Sequence, residues 1–304
     1  MDMMRVKIGG IEFKNPVIAA SGTFGYGLEY KELVDIEGLG GFVTKSITLK
    51  GREGNGYPRG VETEGGMLNA VGLQNEGVEH FIKEIWTKIK DCETEIIVSI
   101  AGSSVEEYTE CARQIGEVKG IKGIEVNISC PNVKEGGMQF GRDVKMTEGV
   151  VKAIREVYKK TMIVKLSPNV TDITEIARAA EGGGADALTA INTVLGMAVD
   201  IRSQKPKLST VTGGLSGPCI KPIALRCVWE VYNAVKIPVI GVGGIKDWQD
   251  VVEFMLAGAS AVQVGMYNFA MPTVTTDIAS DLEMYFTQKR IESVSELIGA
   301  MKMF

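Results

Sequence analysis

The chain is organised around the stretch Gly123-Ile124-Glu125-Val126-Asn127-Ile128-Ser129-Cys130-Pro131-Asn132. Its β-forming residues alternate with polar ones over 124–128, which predicts a short strand. Pro131 has no N–H to donate to a strand ladder, so the strand ends at or near Cys130. Residues 133–142 then carry three glycines without a regular period, which predicts a loop over the strand end.

Short β-rich runs alternate with amphipathic helical runs over nearly the whole chain. Strands are predicted at 17–20, 42–48, 96–100, 124–128, 162–166, 187–191, 239–242 and 261–264. Helices are predicted at 28–35, 78–90, 105–118, 147–159, 173–180, 222–235, 247–257 and 278–301. Eight β/α repeats in 304 residues predict a single α/β domain, a (β/α)8 TIM barrel covering 1–304. An open doubly wound sheet is the alternative, since counting strands does not show that the ends meet.

Two further features place the functional end of this barrel. Residues 6–13, with Gly9-Gly10 at the centre, predict a small hairpin that caps the barrel floor. Three connections from a strand to the next helix are long, at 49–77, 130–146 and 192–220. Loops of this length usually carry function, and these follow predicted strands 2, 4 and 6 at one end of the barrel. The sequence therefore predicts a site at the C-terminal mouth.

Composition excludes several classes of partner. The chain has 33 basic and 38 acidic residues without a basic cluster, which argues against nucleic acid. No apolar run approaches the roughly 18 residues of a membrane span, and the N-terminus lacks an apolar signal core. We therefore expect a cytoplasmic protein with no membrane partner.

The cysteine and histidine counts narrow the chemistry. Five cysteines without a C-x-x-C pair argue against disulfides, structural zinc or an iron–sulfur cluster on this chain, so no metal site is expected. The one histidine, His80, lies in a predicted helix, where a structural or surface role is favoured. Proton chemistry then falls to Cys, Lys or a carboxylate. Cys130, at a strand mouth, is the candidate, although a lone cysteine is more often a buried core residue.

Polar or small residues recur where the predicted strands open into the mouth. They are Ser21, Gly22, Thr23, Lys45, Ser46, Ser99, Asn127, Ser129, Cys130, Lys165, Asn192 and Thr193. Two lysines inside a barrel need an anionic partner, because burying an unpaired ammonium is too costly. Neither Lys45 nor Lys165 has an acidic residue beside it in its own segment, which favours an anionic ligand over pairing with protein carboxylates.

Glycine turns follow the last two predicted strands, at Gly241-Val242-Gly243-Gly244-Ile245 and Val264-Gly265-Met266. Glycines at these positions are the usual phosphate cradle of this barrel. They do not match the dinucleotide fingerprint, which opens a β-α-β unit. Gly213-Gly214-Leu215-Ser216-Gly217-Pro218 adds backbone donors. Together with the lysines, these turns predict a phosphorylated cofactor across the barrel mouth.

Four segments together resemble class 1 dihydroorotate dehydrogenases, in the right order and within a similarity that runs from about residue 6 to 269. They are Asn127-Ile128-Ser129-Cys130-Pro131-Asn132, Lys165-Leu166-Ser167-Pro168, Gly213-Gly214-Leu215-Ser216-Gly217 and Gly241-Val242-Gly243-Gly244-Ile245. Gly66-Met67-Leu68-Asn69-Ala70-Val71-Gly72-Leu73-Gln74-Asn75 resembles the NAD-linked subgroup (1B) rather than the fumarate-linked one (1A). Glu76, Cys219 and Met266 depart from the family pattern, and Met266 would alter the phosphate contacts.

The resemblance implies oxidation of (S)-dihydroorotate to orotate in de novo pyrimidine biosynthesis. It implies FMN held by Ser21, Lys45, Ser46, Ser99, Asn127, Lys165, Ile191, Gly217, Gly243, Gly244, Gly265 and Met266. It implies the pyrimidine held by Lys45, Asn69, Ala70, Val71, Gly72, Leu73, Asn127, Asn192 and Thr193. Ser99 is the least secure of these, since Asn is frequent at that place.

The resemblance also implies roles in the reaction. The C6 hydride passes to flavin N5 and the C5 proton to Cys130, while Lys165 stabilises the reduced flavin. Electrons then reach NAD⁺ through a partner subunit that carries FAD and a [2Fe-2S] cluster, in a heterotetramer of two of each chain. The alternatives are a fumarate-linked 1A enzyme and, in another class, a non-redox phosphate-binding lyase or aldolase with Lys165 as a Schiff base.

Overall fold

The computed structural model describes residues 2–129 and 140–303. Eight parallel strands form a closed barrel in chain order, in which the last strand pairs with the first. They are β3 (Val17–Ala19), β4 (Gly41–Val43), β7 (Glu95–Ile100), β8 (Gly123–Asn127), β9 (Thr161–Leu166), β10 (Ala187–Ala190), β15 (Val239–Val242) and β16 (Ala261–Val264). The predicted (β/α)8 barrel is confirmed, and closure excludes the open sheet.

An N-terminal hairpin closes the bottom of the barrel, as the sequence predicts. Its strands are β1 (Val6–Ile8) and β2 (Ile11–Phe13), whose alternate side chains are buried. These side chains form one apolar cluster with inward-facing barrel residues, among them Ile97, Ile163 and Ile240. The hairpin thus seals one end with hydrocarbon, and polar side chains collect at the other end.

Helices follow the barrel strands and pack around them. The first covers 78–89 (α1) and has a π-helical middle, Phe81–Trp86. The others in the described part are α2 (Val105–Glu117), α3 (Val144–Val157), α4 (Ile173–Gly182), α5 (Lys221–Ala234), α6 (Trp248–Leu256), α7 (Tyr267–Ala270) and α8 (Val274–Lys289). None of the helices in residues 2–129 and 140–303 is long and apolar enough to cross a membrane.

Two predicted helices are wrong. The segment 28–35 contains only a 3₁₀ turn, Leu28–Tyr30, because its sequence offers little apolar face and Leu33 remains 59% exposed. The helix predicted at 278–301 ends early, since Arg290 adopts a left-handed φ of 56° and its N–H closes on Phe286 and Thr287 carbonyls. A separate 3₁₀ turn, Val294–Glu296, then follows.

The first and third long loops fold into a sheet of their own, which the sequence analysis did not predict. Four antiparallel strands take part: β5 (Gly60–Thr63), β6 (Gly66–Asn69), β11 (Val194–Met197) and β14 (Thr212–Ser216). A short hairpin of β12 (Val199–Asp200) and β13 (Lys205–Pro206) extends from β11. Leu68, Ala70 and Leu208 form a small core beneath this sheet. The sheet therefore walls one side of the barrel mouth.

Candidate active site

A cavity of about 470 Å³ lies at the carboxyl ends of the barrel strands, and residues of β5, β6 and β14 contribute to its wall. This volume is in the range of about 300–1,000 Å³ that small-molecule and cofactor sites occupy. Most residues predicted to bind a ligand line it: Ser21, Lys45, Ser46, Asn69, Val71, Gly72, Leu73, Asn127, Lys165, Ile191, Asn192, Thr193, Gly217, Gly243, Gly244, Gly265 and Met266. Their individual binding roles stay predictions.

Two predicted contacts lie behind the cavity surface. Ser99 is fully buried, and its hydroxyl is 2.8 Å from that of Ser46, which does line the cavity. Ala70 is also fully buried, and its backbone N–H donates to the Arg59 carbonyl. Ser99 thus contacts the cavity lining through Ser46, and Ala70 lies within the hydrogen-bonded loop behind it.

The floor of the cavity contains a closed ring of hydrogen bonds around Lys165. Its ammonium donates to the Gln263 amide oxygen at 3.2 Å and to the Glu125 carboxylate at 3.5 Å. The Gln263 amide nitrogen donates to the other Glu125 oxygen at 2.7 Å, and the Thr189 hydroxyl donates there at 2.9 Å. The expectation that Lys165 lacks a protein carboxylate is therefore wrong.

The register of neighbouring strands explains this correction. Asn127 and Thr189 both lie opposite Lys165 in the adjacent strands, and Glu125 is two residues before Asn127, hence on the same face of β8. The acidic partner is 40 residues away in sequence and next door in space. A single Glu inside an apolar strand, and likewise Gln263 between two valines, was the signal that the sequence analysis missed.

Lys45 is in a different environment on the side wall. Its backbone N–H donates to the Gly25 carbonyl at 2.7 Å, and its side chain is half-buried. In the described part of the chain, no protein acceptor lies within hydrogen-bonding distance of its ammonium. Burial lowers the pKa of Lys45, with Glu29 and Glu76 opposing that effect and Arg59 adding to it. This environment is compatible with the predicted binding of an anionic ligand by Lys45, which stays a prediction.

Amide and hydroxyl groups from three strand ends meet beside the lysines. The Asn192 amide donates to the Ser129 hydroxyl at 2.8 Å and to the Asn127 amide oxygen at 3.3 Å. The Asn127 amide nitrogen reaches the Ser46 hydroxyl at 3.2 Å, and Tyr108 donates to the Asn127 carbonyl at 2.9 Å. These bonds fix the orientation of two amides that line the cavity, as recognition of a ring with alternating donors and acceptors requires.

The glycine turns present backbone groups to the cavity, in contrast to the lysine and asparagine side chains described above. Gly217 has φ 116°, and a Cβ there would lie 2.5 Å from the Met266 methyl carbon and 2.6 Å from the Gly66 Cα. Gly243 has φ 137°, and a Cβ would lie 2.6 Å from that of Ala224. Within residues 2–129 and 140–303, no protein group accepts a hydrogen bond from the N–H of Gly243 or Gly244. Free N–H groups in a glycine turn are the donors that bind phosphate.

Other lining residues were not predicted. Glu29, Arg59, Tyr267 and Phe269 contribute to the wall. The Arg59 guanidinium donates to Gln74 at 2.7 Å and to the Glu53 carbonyl at 2.9 Å, so it braces the loop that carries β5 and β6. Nothing in the local sequence distinguished Arg59 from a surface arginine, because its partners come from the fold of the whole loop.

The predicted proton acceptor, Cys130, lies outside the described residues, and its role stays a prediction. Ser129 is described and has 1% of its surface exposed. No group of three or more potential metal ligands occurs in the described part of the chain.

Comparisons with known proteins agree with this architecture. The family model described as dihydroorotate dehydrogenase matches residues 3–286. A protein of Parabacteroides distasonis, named dihydroorotate dehydrogenase B (NAD(+)), catalytic subunit, is 59% identical over 301 residues, which cover 99% of each chain. Proteins of the same name from Bacteroides thetaiotaomicron and a Geobacter species are 57% and 51% identical, over 98% and 99% of this chain and 99% and 98% of theirs. The chain belongs to the dihydroorotate dehydrogenase family.

Proposed function

We propose that this chain is the FMN-dependent catalytic subunit of an NAD-linked dihydroorotate dehydrogenase, which oxidises (S)-dihydroorotate to orotate for pyrimidine biosynthesis. The observation that carries the proposal is one cavity that combines three features: Lys45, two oriented asparagine amides and the glycine turn at 243–244. Within residues 2–129 and 140–303, neither the Lys45 ammonium nor the N–H groups of that turn have a protein acceptor. The names of relatives that match 97–99% of this chain support the same reaction.

The residues present fit FMN. Gly243, Gly244, Gly265 and the backbone of Met266 would hold its phosphate. Side chains at the first two would clash with Ala224 or Lys221 and strain the backbone, so the turn needs glycine there. Lys165 would donate to the ring from the cavity floor. When bound, FMN would supply the hydride acceptor that no amino-acid side chain provides.

The substrate end of the cavity would be formed by Lys45 and the amides. The Lys45 ammonium would pair with the dihydroorotate carboxylate, and the ligand charge would offset the cost of burying it. Asn69, Asn127 and Asn192 would bond the ring N–H and C=O groups. Cys130 would take the proton from ring C5.

A first experiment tests the class of enzyme. The purified protein should be yellow with bound FMN, and anaerobic dihydroorotate should bleach it. A colourless protein in which borohydride traps a carbonyl substrate on Lys165 would contradict the proposal and favour the non-redox barrel enzyme.

A second experiment tests the base. Cys130→Ser should keep FMN and orotate binding and slow dehydrogenation by about a hundredfold or more, the usual scale for a general base. Cys92→Ser, at a half-buried cysteine that does not line the cavity, is the matched control and should leave the rate unchanged. Near-normal turnover of Cys130→Ser would remove that residue from the mechanism.

A third experiment tests the electron acceptor. We propose a partner subunit with FAD and a [2Fe-2S] cluster, joined to this chain in a heterotetramer of two of each. Purification from the native source should recover that partner together with dihydroorotate-dependent NAD⁺ reduction. Fumarate reduction by the isolated chain would instead favour the 1A alternative. The cytoplasmic location stays a prediction.

A further inference from the structure

The buried ring on the cavity floor contains a carboxylate that the proposed reaction does not use. Glu125 is fully buried, whereas Lys165, at 6% exposure, lines the cavity. Burying a carboxylate is costly even when it is paired, so a Glu inside an apolar strand calls for a specific role. Its contacts point to control of the lysine.

The hydrogen-bond chemistry of the ring permits one arrangement. An ammonium can only donate and a carboxylate can only accept, so the Gln263 amide must turn its oxygen to Lys165 and its nitrogen to Glu125. Thr189 then donates to the same Glu125 oxygen as Gln263, and the other Glu125 oxygen accepts from Lys165. Every member is engaged, and the lysine has spent two of its three N–H groups on the protein. Within residues 2–129 and 140–303 the third has no protein acceptor, and it can donate to a ligand in the cavity.

We infer that Glu125 is a positioning residue for the flavin-binding lysine. With Gln263 it anchors the Lys165 ammonium to the floor, so that one N–H is presented to the cavity in a fixed direction. This inference rests on the proposed function for the identity of the ligand, but the anchoring itself is a property of the cofactor-free chain. Glu125 touches neither substrate nor cofactor and acts through Lys165.

Glu125→Gln is the informative variant, because it keeps the shape of the side chain and replaces one acceptor oxygen with a donor NH2 group. An amide at 125 brings a second N–H group into the ring, so that either Gln263 or Lys165 must face a donor. Far-UV circular dichroism and the melting temperature report folding. Should this variant fail to fold, Thr189→Val removes one donor to Glu125 and should produce the same changes at smaller size.

The first readout needs no FMN. In the cofactor-free wild type, ¹⁵N-lysine NMR should show a slowly exchanging ammonium signal, assigned to Lys165 by its loss in Lys165→Met. Glu125→Gln should lose that signal as well. Its persistence would overturn the inference whether or not the chain binds FMN.

The second readout is a double-mutant cycle on FMN affinity. Glu125→Gln should weaken FMN binding about tenfold, and the same change in a Lys165→Met background should have almost no effect, since interacting residues are not additive. Equal effects in both backgrounds would mean a merely structural role and contradict the inference. If the wild type binds FMN, such a result leaves the proposed function intact.

The sign of the change in the reduction potential of bound FMN separates positioning from simple charge. A fixed ammonium favours reduction, so losing its position should lower the potential, and Lys165→Met should lower it in the same direction. Removing a nearby negative charge without moving the lysine should raise it. A raised or unchanged potential in Glu125→Gln would refute the positioning role.

Discussion

Lys165 and Lys45 line the same cavity but are held in opposite ways. Lys165 is anchored to a carboxylate and an amide on the cavity floor, and both of those groups are fully buried. Lys45 is half-buried on the wall, where burial lowers its pKa, and no protein acceptor in the described part of the chain reaches its ammonium. The Lys165 ammonium on the cavity floor thus has a protein carboxylate before a ligand binds, whereas the Lys45 ammonium on the wall has no protein acceptor in the described residues. The cavity thus contains one cation that the protein already holds in place and a second cation whose counter-charge a ligand must supply.

The largest expected effect concerns the floor. Lys165→Met should lower the free energy of unfolding of the cofactor-free protein by about 3–5 kcal/mol, because it leaves Glu125 buried without its cation. Urea unfolding monitored by circular dichroism measures this loss. Lys45→Met is the matched control. We expect it to change the free energy of unfolding by less than about 1 kcal/mol, because its removal leaves no buried carboxylate in the described residues without a cation. Similar losses in the two variants would erase the distinction.

The wall should show the reverse pattern in ligand binding. Lys45→Met should weaken orotate binding by about ten- to a hundredfold, since a charge-assisted hydrogen bond contributes roughly 1.5–3 kcal/mol. Isothermal titration with orotate measures the affinity. An unchanged affinity would show that the substrate carboxylate binds elsewhere, with Arg59 the next candidate on the lining.

Ser99 tests the support behind the wall. Ser99→Ala should destabilise the protein by about 1 kcal/mol, the scale of a lost hydrogen bond to Ser46, and leave FMN affinity unchanged within about threefold. Thermal unfolding and FMN titration of the same sample separate the two quantities. A large loss of FMN affinity with unchanged stability would instead restore Ser99 as a direct cofactor contact.

The smallest effect is the pH dependence of the wall lysine. Because the pKa of Lys45 is lowered, its ammonium is fully charged at low pH and loses its proton at a pH below the ordinary lysine pKa of 10.5. Orotate affinity should therefore hold near neutral pH and weaken as the pH rises through that lowered pKa. Lys45→Arg, which stays charged, should extend the plateau to higher pH. A wild-type profile that declines only above the ordinary lysine pKa would contradict the effect of burial.

Much of the site was predictable from local sequence because strand ends, glycine turns and long connections are local signals. Asn127, Asn192, Lys45 and Gly243 follow strands that periodicity identifies, and parallel strands bring their carboxyl ends to one mouth. Ser99 and Ala70, whose binding roles the family resemblance implies and which stay predictions, are buried behind the cavity surface, because local sequence does not say which side chain of a strand end or loop faces the cavity.

Local sequence specifies eight β/α repeats, a hairpin cap and a cavity with cationic and amide groups, because the periods of apolar residues and the positions of glycine and proline dictate these features. The arrangement of Glu125, Thr189 and Gln263 around Lys165 depends on the tertiary structure, since the four residues lie on four different strands. The same holds for the pairing of two long loops as a sheet, and for Lys45, whose ammonium has no protein acceptor within residues 2–129 and 140–303. Pairing between strands depends on register across the closed barrel, which no single segment contains.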